Sequence, residues 1–299
     1  MSITFQPMLT KIFGALTIVL LFSGCGSVDT DAIDNLNNGK ILKLGHAGLG
    51  FESVINPFNP YPPNGYTALK KAMDYGADGV EVDVQMTKDS VLVLFHDLEL
   101  GETTDMVGCI QEKTWSEIQE GHYELGFFYD LFQSDKIMRL DSLLSWFQTF
   151  EEFPYIHFDM RIYNTCNEAK PYAYNGNMAP VLLSLLQEYK VPTNKVLIIS
   201  TTVEFLEYLQ ELQSPYPLSY EETGDFDKGL KAVLDLGITS MTIKPKLITA
   251  KDVARAHKQN IEIVTFGGKS RSGTAGLVEL NPDVIHTNNI RALVDLLGE

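Results

Sequence analysis

Positive charge is what this sequence has least of. Lys and Arg total 23 against 39 Asp and Glu, a formal net charge of −16. A surface of that sign repels phosphate backbones and excludes nucleic acid as a general partner. Cysteine is nearly absent. Three residues, Cys25, Cys109 and Cys166, are too few for a disulfide-built scaffold. Cys109 and Cys166 either pair in an oxidising compartment or stay free and buried, and the sequence leaves both open. Low-complexity stretches are few and no internal repeat is visible. With 299 residues, 44% of them hydrophobic, the chain can bury one large core or two smaller ones. No Gly-rich phosphate loop follows the first strand-like run, which argues against an open dinucleotide-binding sheet.

What is present begins with Lys11 and the apolar run Ile12 to Phe22, ending in Ser23-Gly24-Cys25. The run is too short for a stop-transfer helix and reads as a signal peptide over residues 1–25. The Phe-Ser-Gly-Cys ending resembles a bacterial lipobox. Cleavage before Cys25 would leave a lipid-modified N-terminus and an exported protein anchored at a membrane surface of the cell envelope. Residues 26–39, rich in Asp, Asn and Gly, read as a flexible tether.

From residue 40 to 299, strand-like and helix-like patterns alternate. Strands are expected at 41–45, 79–86, 91–95, 155–162, 196–200, 217–220, 238–243, 261–266 and 283–286. Helical periodicity falls at 66–75, 140–150, 180–190, 203–213, 226–236, 251–260 and 290–297, and Thr114 to Glu117 has the spacing of a capping box. Such alternation predicts an α/β fold, a (β/α)8 TIM barrel with helices outside. Nine strands are one too many for it. The run 91–95 is the surplus one, because no helix separates it from its predecessor.

The most informative stretch is Gly79 to Asp97. Two Val- and Leu-rich runs flank Thr87-Lys88-Asp89-Ser90, a composition that favours a turn. Glu81 and Asp83 share one face of their strand, since alternate residues point the same way. If the runs pair about that turn, His96 lies opposite Val82, level with both carboxylates. Two carboxylates and an imidazole at one level suit a hard-metal site with an acid or base beside it. The competing reading is a half-buried strand pair whose acids face water.

The run Gly76-Ala-Asp-Gly-Val-Glu-Val-Asp-Val84, then Thr87-Lys-Asp89 and Phe95-His-Asp97, resembles the signature of the glycerophosphodiester phosphodiesterase family, a group of PLC-like phosphodiesterase barrels. Leu100 to Thr104 is similar to the family's L-x-R-T-T, with Glu102 for Arg. Gly45-His46-Ala47-Gly48 sits at its H-R-G, Asp159 and Arg161 at its E-x-K, and Ile285 to Asn288 at its I-x-T-D. The chain departs from the pattern at Ala47, where the phosphate-holding arginine belongs, and at Pro63, where the P-E-N-T glutamate belongs. Glu52, in the loop between, is a candidate substitute ligand.

The resemblance implies a metal-dependent phosphodiesterase acting on glycerophosphodiesters, releasing sn-glycerol 3-phosphate and an alcohol. It implies His46 and His96 as catalytic groups. Glu81, Asp83 and Asp159 would be ligands of Mg²⁺ or Ca²⁺, and Arg161 is the expected phosphate clamp. Lys244 ends the strand at 238–243 on the functional rim, where it meets a phosphate or stays a solvated loop lysine. Two alternatives remain beside the hydrolase. One is a lyase of the related sphingomyelinase D kind, giving a cyclic phosphate. The other is a surface lipoprotein that binds phosphorylated ligands without turnover. The expected partners are a small-molecule diester and a membrane surface, and no protein partner is evident. His122, His257 and His286 read as surface or core histidines, and Trp115 and Trp146 as core.

Overall fold

The computed structural model describes residues 28–51, 59, 61–126, 130–131, 133–167 and 175–298. The expected signal peptide, Cys25 and Glu52 lie outside these residues.

Ten strands form one sheet: β1 (Leu42–His46), β2 (Gly79–Met86), β3 (Leu92–Leu94), β4 (Met138–Arg139), β5 (Tyr155–Met160), β6 (Val196–Ser200), β7 (Leu218–Glu222), β8 (Ser240–Ile243), β9 (Glu262–Gly267) and β10 (Val284–Thr287). Eight of them are parallel neighbours in the cyclic order β1, β2, β5, β6, β7, β8, β9, β10. The ring closes because β1 pairs with both β10 and β2. This is the expected (β/α)8 barrel.

The surplus strand is the one the sequence points to. β3 runs antiparallel to the upper end of β2, with Val84 opposite Leu94 and Met86 opposite Leu92, the register expected for a turn at residues 88–90. β4, only two residues long, extends this flap and leaves no periodic signal. The lower part of β2 approaches β5 so closely that a Cβ on Gly79 would lie 1.9 Å from Tyr155 O. Only glycine fits there.

Apolar helix faces cover the barrel. Residues such as Leu69, Leu140, Phe147, Leu182 and Phe205 pack on outward-facing Val80, Val82, Phe158 and Ile198 in one core cluster. Each such side chain contributes about 1.5–3 kcal/mol by leaving water. The helix Arg271–Val278 escapes the sequence pattern because Gly273 and Gly276 lower its propensity. Ser270 starts it by accepting the Gly273 N–H at 3.1 Å, and Leu277 and Val278 pack it down.

Inside the barrel the alternation of strand residues places Leu44, Leu197, Ile199, Val264 and Val284 in one apolar layer. Polar rungs share the interior: His157 and His286 bond at 2.9 Å, and Ser219 meets Thr242 at 2.9 Å and Ser240 at 3.1 Å. Between β3 and β4, Phe95, Leu100, Ile110, Ile118 and Tyr123 build a small core of their own. A disulfide, Cys109–Cys166, staples this insertion to the loop after β5.

The expected tether reaches residue 39, yet its second half is held to the base of the barrel. Asp34 N donates to Asn281 Oδ1 at 3.0 Å, Leu36 N donates to Asp283 Oδ1 at 2.7 Å, and Ile33 packs on the cluster of Ile41, Leu277 and Ile285. Composition alone misses this, because the anchors are Asn and Asp side chains about 250 residues downstream.

Candidate active site

β2 raises Glu81 and Asp83 on its inward face, both almost fully buried, and the parallel register sets Asp159 of β5 beside Asp83. One oxygen from each of the three carboxylates lies within 4.8 Å of the others. Three hard oxygen donors at that spacing, on a barrel rim open to water, fit a divalent ion of the Mg²⁺ or Ca²⁺ type.

The loop after β1 holds two of these groups in place. Ala47 adopts a left-handed φ of 45°, a conformation costing about 1 kcal/mol or more outside glycine, and its N–H donates to Glu81 Oε2 at 2.9 Å. Asn64 brackets Asp83 from both sides. Its Nδ2 donates to Asp83 Oδ2 at 2.8 Å and its Oδ1 accepts from Asp83 N at 3.0 Å.

The two histidines sit on opposite kinds of partner. His46, at the end of β1, donates from Nδ1 to the Asn288 amide oxygen at 2.6 Å, which leaves Nε2 facing Glu81 Oε2 at 3.9 Å. His96, just after β3, has its Nδ1 2.7 Å from Asp97 Oδ1. Thr103 Oγ1 donates to the other oxygen of that carboxylate at 2.8 Å. Gln85 secures the turn by donating to the Phe95 carbonyl at 3.0 Å and the Asp97 carbonyl at 2.6 Å. Arg161 crosses between the two groups of residues. Its Nε donates to His96 O at 3.1 Å, and its Nη1 lies 3.3 Å from Asp159 Oδ2.

His46, Glu81, Asp83, His96, Asp159 and Arg161 line one pocket of about 170 Å³ at the C-terminal mouth of the barrel, together with Phe51, Ile199, Glu221, Thr242, Lys244, Phe266 and His286. The seven site residues expected within the barrel, His46, Glu81, Asp83, His96, Asp159, Arg161 and Lys244, therefore meet. A wider groove of about 380 Å³ lies between the β3–β4 flap and the helix Met178–Glu188. Its Arg139 and Asp141 are already paired with each other, and no acid–base or metal set converges there.

Burial pushes Glu81 well above the carboxylate range, and the charges of Asp83 and Asp159 add to it. Burial likewise raises Asp159 to about 6, against the pull of Arg161 and with the push of Asp83. A cation bound among acids crowded this way would offset their mutual repulsion. Burial lowers His46, more than its Asn288 bond and Asp83 restore. For His96 burial also pulls downward, but the Asp97 hydrogen bond and the charge of Asp83 outweigh it and the pKa rises. The partner Asp97 is lowered: the bonds from His96 and Thr103 exceed the effect of its burial.

The model of the glycerophosphoryl diester phosphodiesterase family matches residues 58–292. The chain belongs to that family. Among curated relatives, the glycerophosphodiester phosphodiesterase of Bacillus altitudinis is 41% identical over 68 residues, 23% of this chain and 28% of that protein. The chain spans about a third or less of the curated relatives it matches, 35%, 28% and 24% for three of them. Solved structures share the fold at greater length. A putative glycerophosphoryl diester phosphodiesterase from Silicibacter pomeroyi superposes with a TM-score of 0.71 at 18% identity, covering 86% of this chain and 93% of that one. A phosphodiesterase from Oleispira antarctica, in complex with the product sn-glycerol-3-phosphate, gives 0.69 at 17% identity, covering 85% and 95%.

Against the family pattern, the structure explains what stands at the altered positions. The arginine position of H-R-G is a buried alanine whose backbone serves Glu81, so within the described residues the cations lining this pocket are Arg161 and Lys244. Pro63 offers no ligand, while the retained Asn64 aligns Asp83. Sequence reasoning misses Asn64, Asn288, Phe51, Phe266 and Glu221 as parts of the site, and reads His286 as a surface or core histidine. Glu221 was findable: it lies one residue past the end assigned to its strand, on the inward parity of Ser219.

Proposed function

We propose that the protein is a metal-dependent phosphodiesterase hydrolysing glycerophosphodiesters, deacylated phospholipids in particular, to sn-glycerol 3-phosphate and an alcohol. The observation that carries this reading is the pair of histidines with opposed environments facing three convergent carboxylates in one pocket. His46, neutral with Nε2 free, takes the proton from the attacking hydroxyl. His96, whose proton is stabilised by Asp97, gives one to the leaving oxygen. Arg161 clamps the phosphate through its planar guanidinium, and Lys244 supplies a second positive charge at the rim. Glu81, Asp83 and Asp159 would hold a divalent cation, which when bound would supply neutralisation of the charge developing on the phosphoryl oxygens. The attacking hydroxyl belongs to water or to the substrate, and in the second case a cyclic phosphate forms first.

A lyase outcome is the second reading, favoured by Ala47 and Pro63 at the positions of the family's arginine and glutamate. The test is phosphorus NMR on residues 26–299 with several glycerophosphodiesters and lysophospholipids, in Mg²⁺, in Ca²⁺ and in EDTA. A metal-dependent open monoester signal is expected. A persistent cyclic signal would replace the hydrolase with a lyase, and no turnover with either metal would leave a ligand-binding protein.

We further infer an exported lipoprotein modified at Cys25. Lys11 with the apolar run 12–22 supports it, as does the Cys109–Cys166 disulfide, a bond suited to oxidising compartments. Among the described residues no helix is long and apolar enough to cross a membrane. Mass spectrometry of the native N-terminus tests this directly, and an unmodified Cys25 would refute it.

A further inference from the structure

Glu221 is the pocket carboxylate for which the chemistry above has no use. It stands outside the three-carboxylate cluster. It projects from β7, four strands from β1 in either direction round the closed barrel, so it faces His46 across the mouth. Below it Ser219 is already bonded to Thr242 and Ser240. Among the described residues the Glu221 side chain accepts no hydrogen bond and has no ion-pair partner within 4.0 Å. Lys244, on the same wall, likewise lacks a direct partner there, although the two charges feel each other and Arg161. Glu221 is half-buried, so its carboxyl group presents unused hydrogen-bonding capacity to whatever enters the pocket.

Resting on the phosphodiesterase reading, we propose that Glu221 and Lys244 together bind the hydroxyl groups of the substrate's glycerol unit. Hydroxyls match both neighbours, since each can donate to the carboxylate and accept from the ammonium. An ammonium headgroup does not match: it can only donate, and Arg161 and Lys244 repel it.

The experiment is calorimetric binding of sn-glycerol 3-phosphate and of propyl phosphate, which lacks the hydroxyls, to the metal-loaded wild type, Glu221→Leu and Glu221→Gln, with folding checked by thermal melts. The wild type should prefer the glycerol compound. Glu221→Leu should reduce the preference about tenfold or more, the scale of a hydrogen bond to a charged group. Glu221→Gln, which keeps one acceptor, should fall between. An unchanged ratio in Glu221→Leu overturns the assignment. So does a loss seen instead with glycerophosphocholine relative to glycerophosphoglycerol, which would make Glu221 an ammonium site. Because binding is read without turnover, a protein that hydrolyses no diester yet shows the predicted change in ratio would lose the phosphodiesterase reading and keep this one.

Discussion

Removing the Cys109–Cys166 bond should weaken the fold by an amount that its position sets. The two residues are 57 apart in sequence, and closing a loop of that size restricts the unfolded chain by about 4 kcal/mol in the chain-entropy model. A fold of about 260 residues unfolds with an entropy near 0.55 kcal/mol per kelvin, so the loss converts to a drop in Tm of about 7 °C. Among the described residues the seam it staples is also held by Gln111 Nε2 donating to Tyr163 O at 2.9 Å and Arg161 Nε to His96 O at 3.1 Å. The phosphate clamp thus shares the seam with the staple, and KM should rise on reduction at temperatures well below the melt. The assay compares calorimetric melts and steady-state kinetics of the oxidised protein, the phosphine-reduced protein and the Cys109→Ser/Cys166→Ser double variant. Melts that coincide within about 1 °C would refute the reasoning, showing that the unfolded chain gains nothing from release of the loop.

Asp97→Asn removes the charge that keeps His96 protonated. Because that partner raises the folded pKa, its loss should move the alkaline limb of the kcat/KM profile to lower pH, and a limb that stays put would exclude His96 as the acid. Asn64→Ala should weaken metal binding about 10- to 100-fold in a calorimetric titration with Mn²⁺ or Ca²⁺, the usual effect of losing a group that orients a ligand, with little change in Tm of the metal-free protein. At the opposite end of the barrel, the fully buried Asp283 accepts from Leu36 N and Ile263 N and contacts His257 Nε2. Asp283→Ala should cost about 3 kcal/mol in urea unfolding while leaving the kcat of the folded protein alone.

How much of this was legible depends on the distance over which each contact acts. The β2–β3 register and the shared face of Glu81 and Asp83 follow from period-two alternation within one hairpin, so the sequence carries them locally. The roles of Asn64 and Asn288 do not. The first reaches Asp83 across 19 positions and the second reaches His46 across 242, distances bridged only when the barrel closes. The same holds for Cys109 and Cys166, whose pairing the sequence leaves undecided. Glu221 was hidden differently. Its strand runs two residues further than propensity suggests, because pairing with β8 holds Glu221 opposite Thr242 and Glu222 opposite Ile243 and extends it. The tether misled because Asn- and Asp-rich composition describes a coil in water equally well as a loop pinned by its amides to a folded base.

The docked segment before β1 has a directional consequence. It enters beneath the loop that precedes β10, at the end of the barrel remote from the mouth, with Leu297 of the closing helix near Ile33. A lipid on the N-terminal side would therefore grip the molecule by its base and turn the mouth outward, away from the bilayer. An enzyme held in that attitude would meet molecules diffusing in the surrounding water, and headgroups still embedded in such a membrane would lie behind it. Glycerophosphodiesters, which have lost their acyl chains and left the bilayer, are the substrates such an orientation serves.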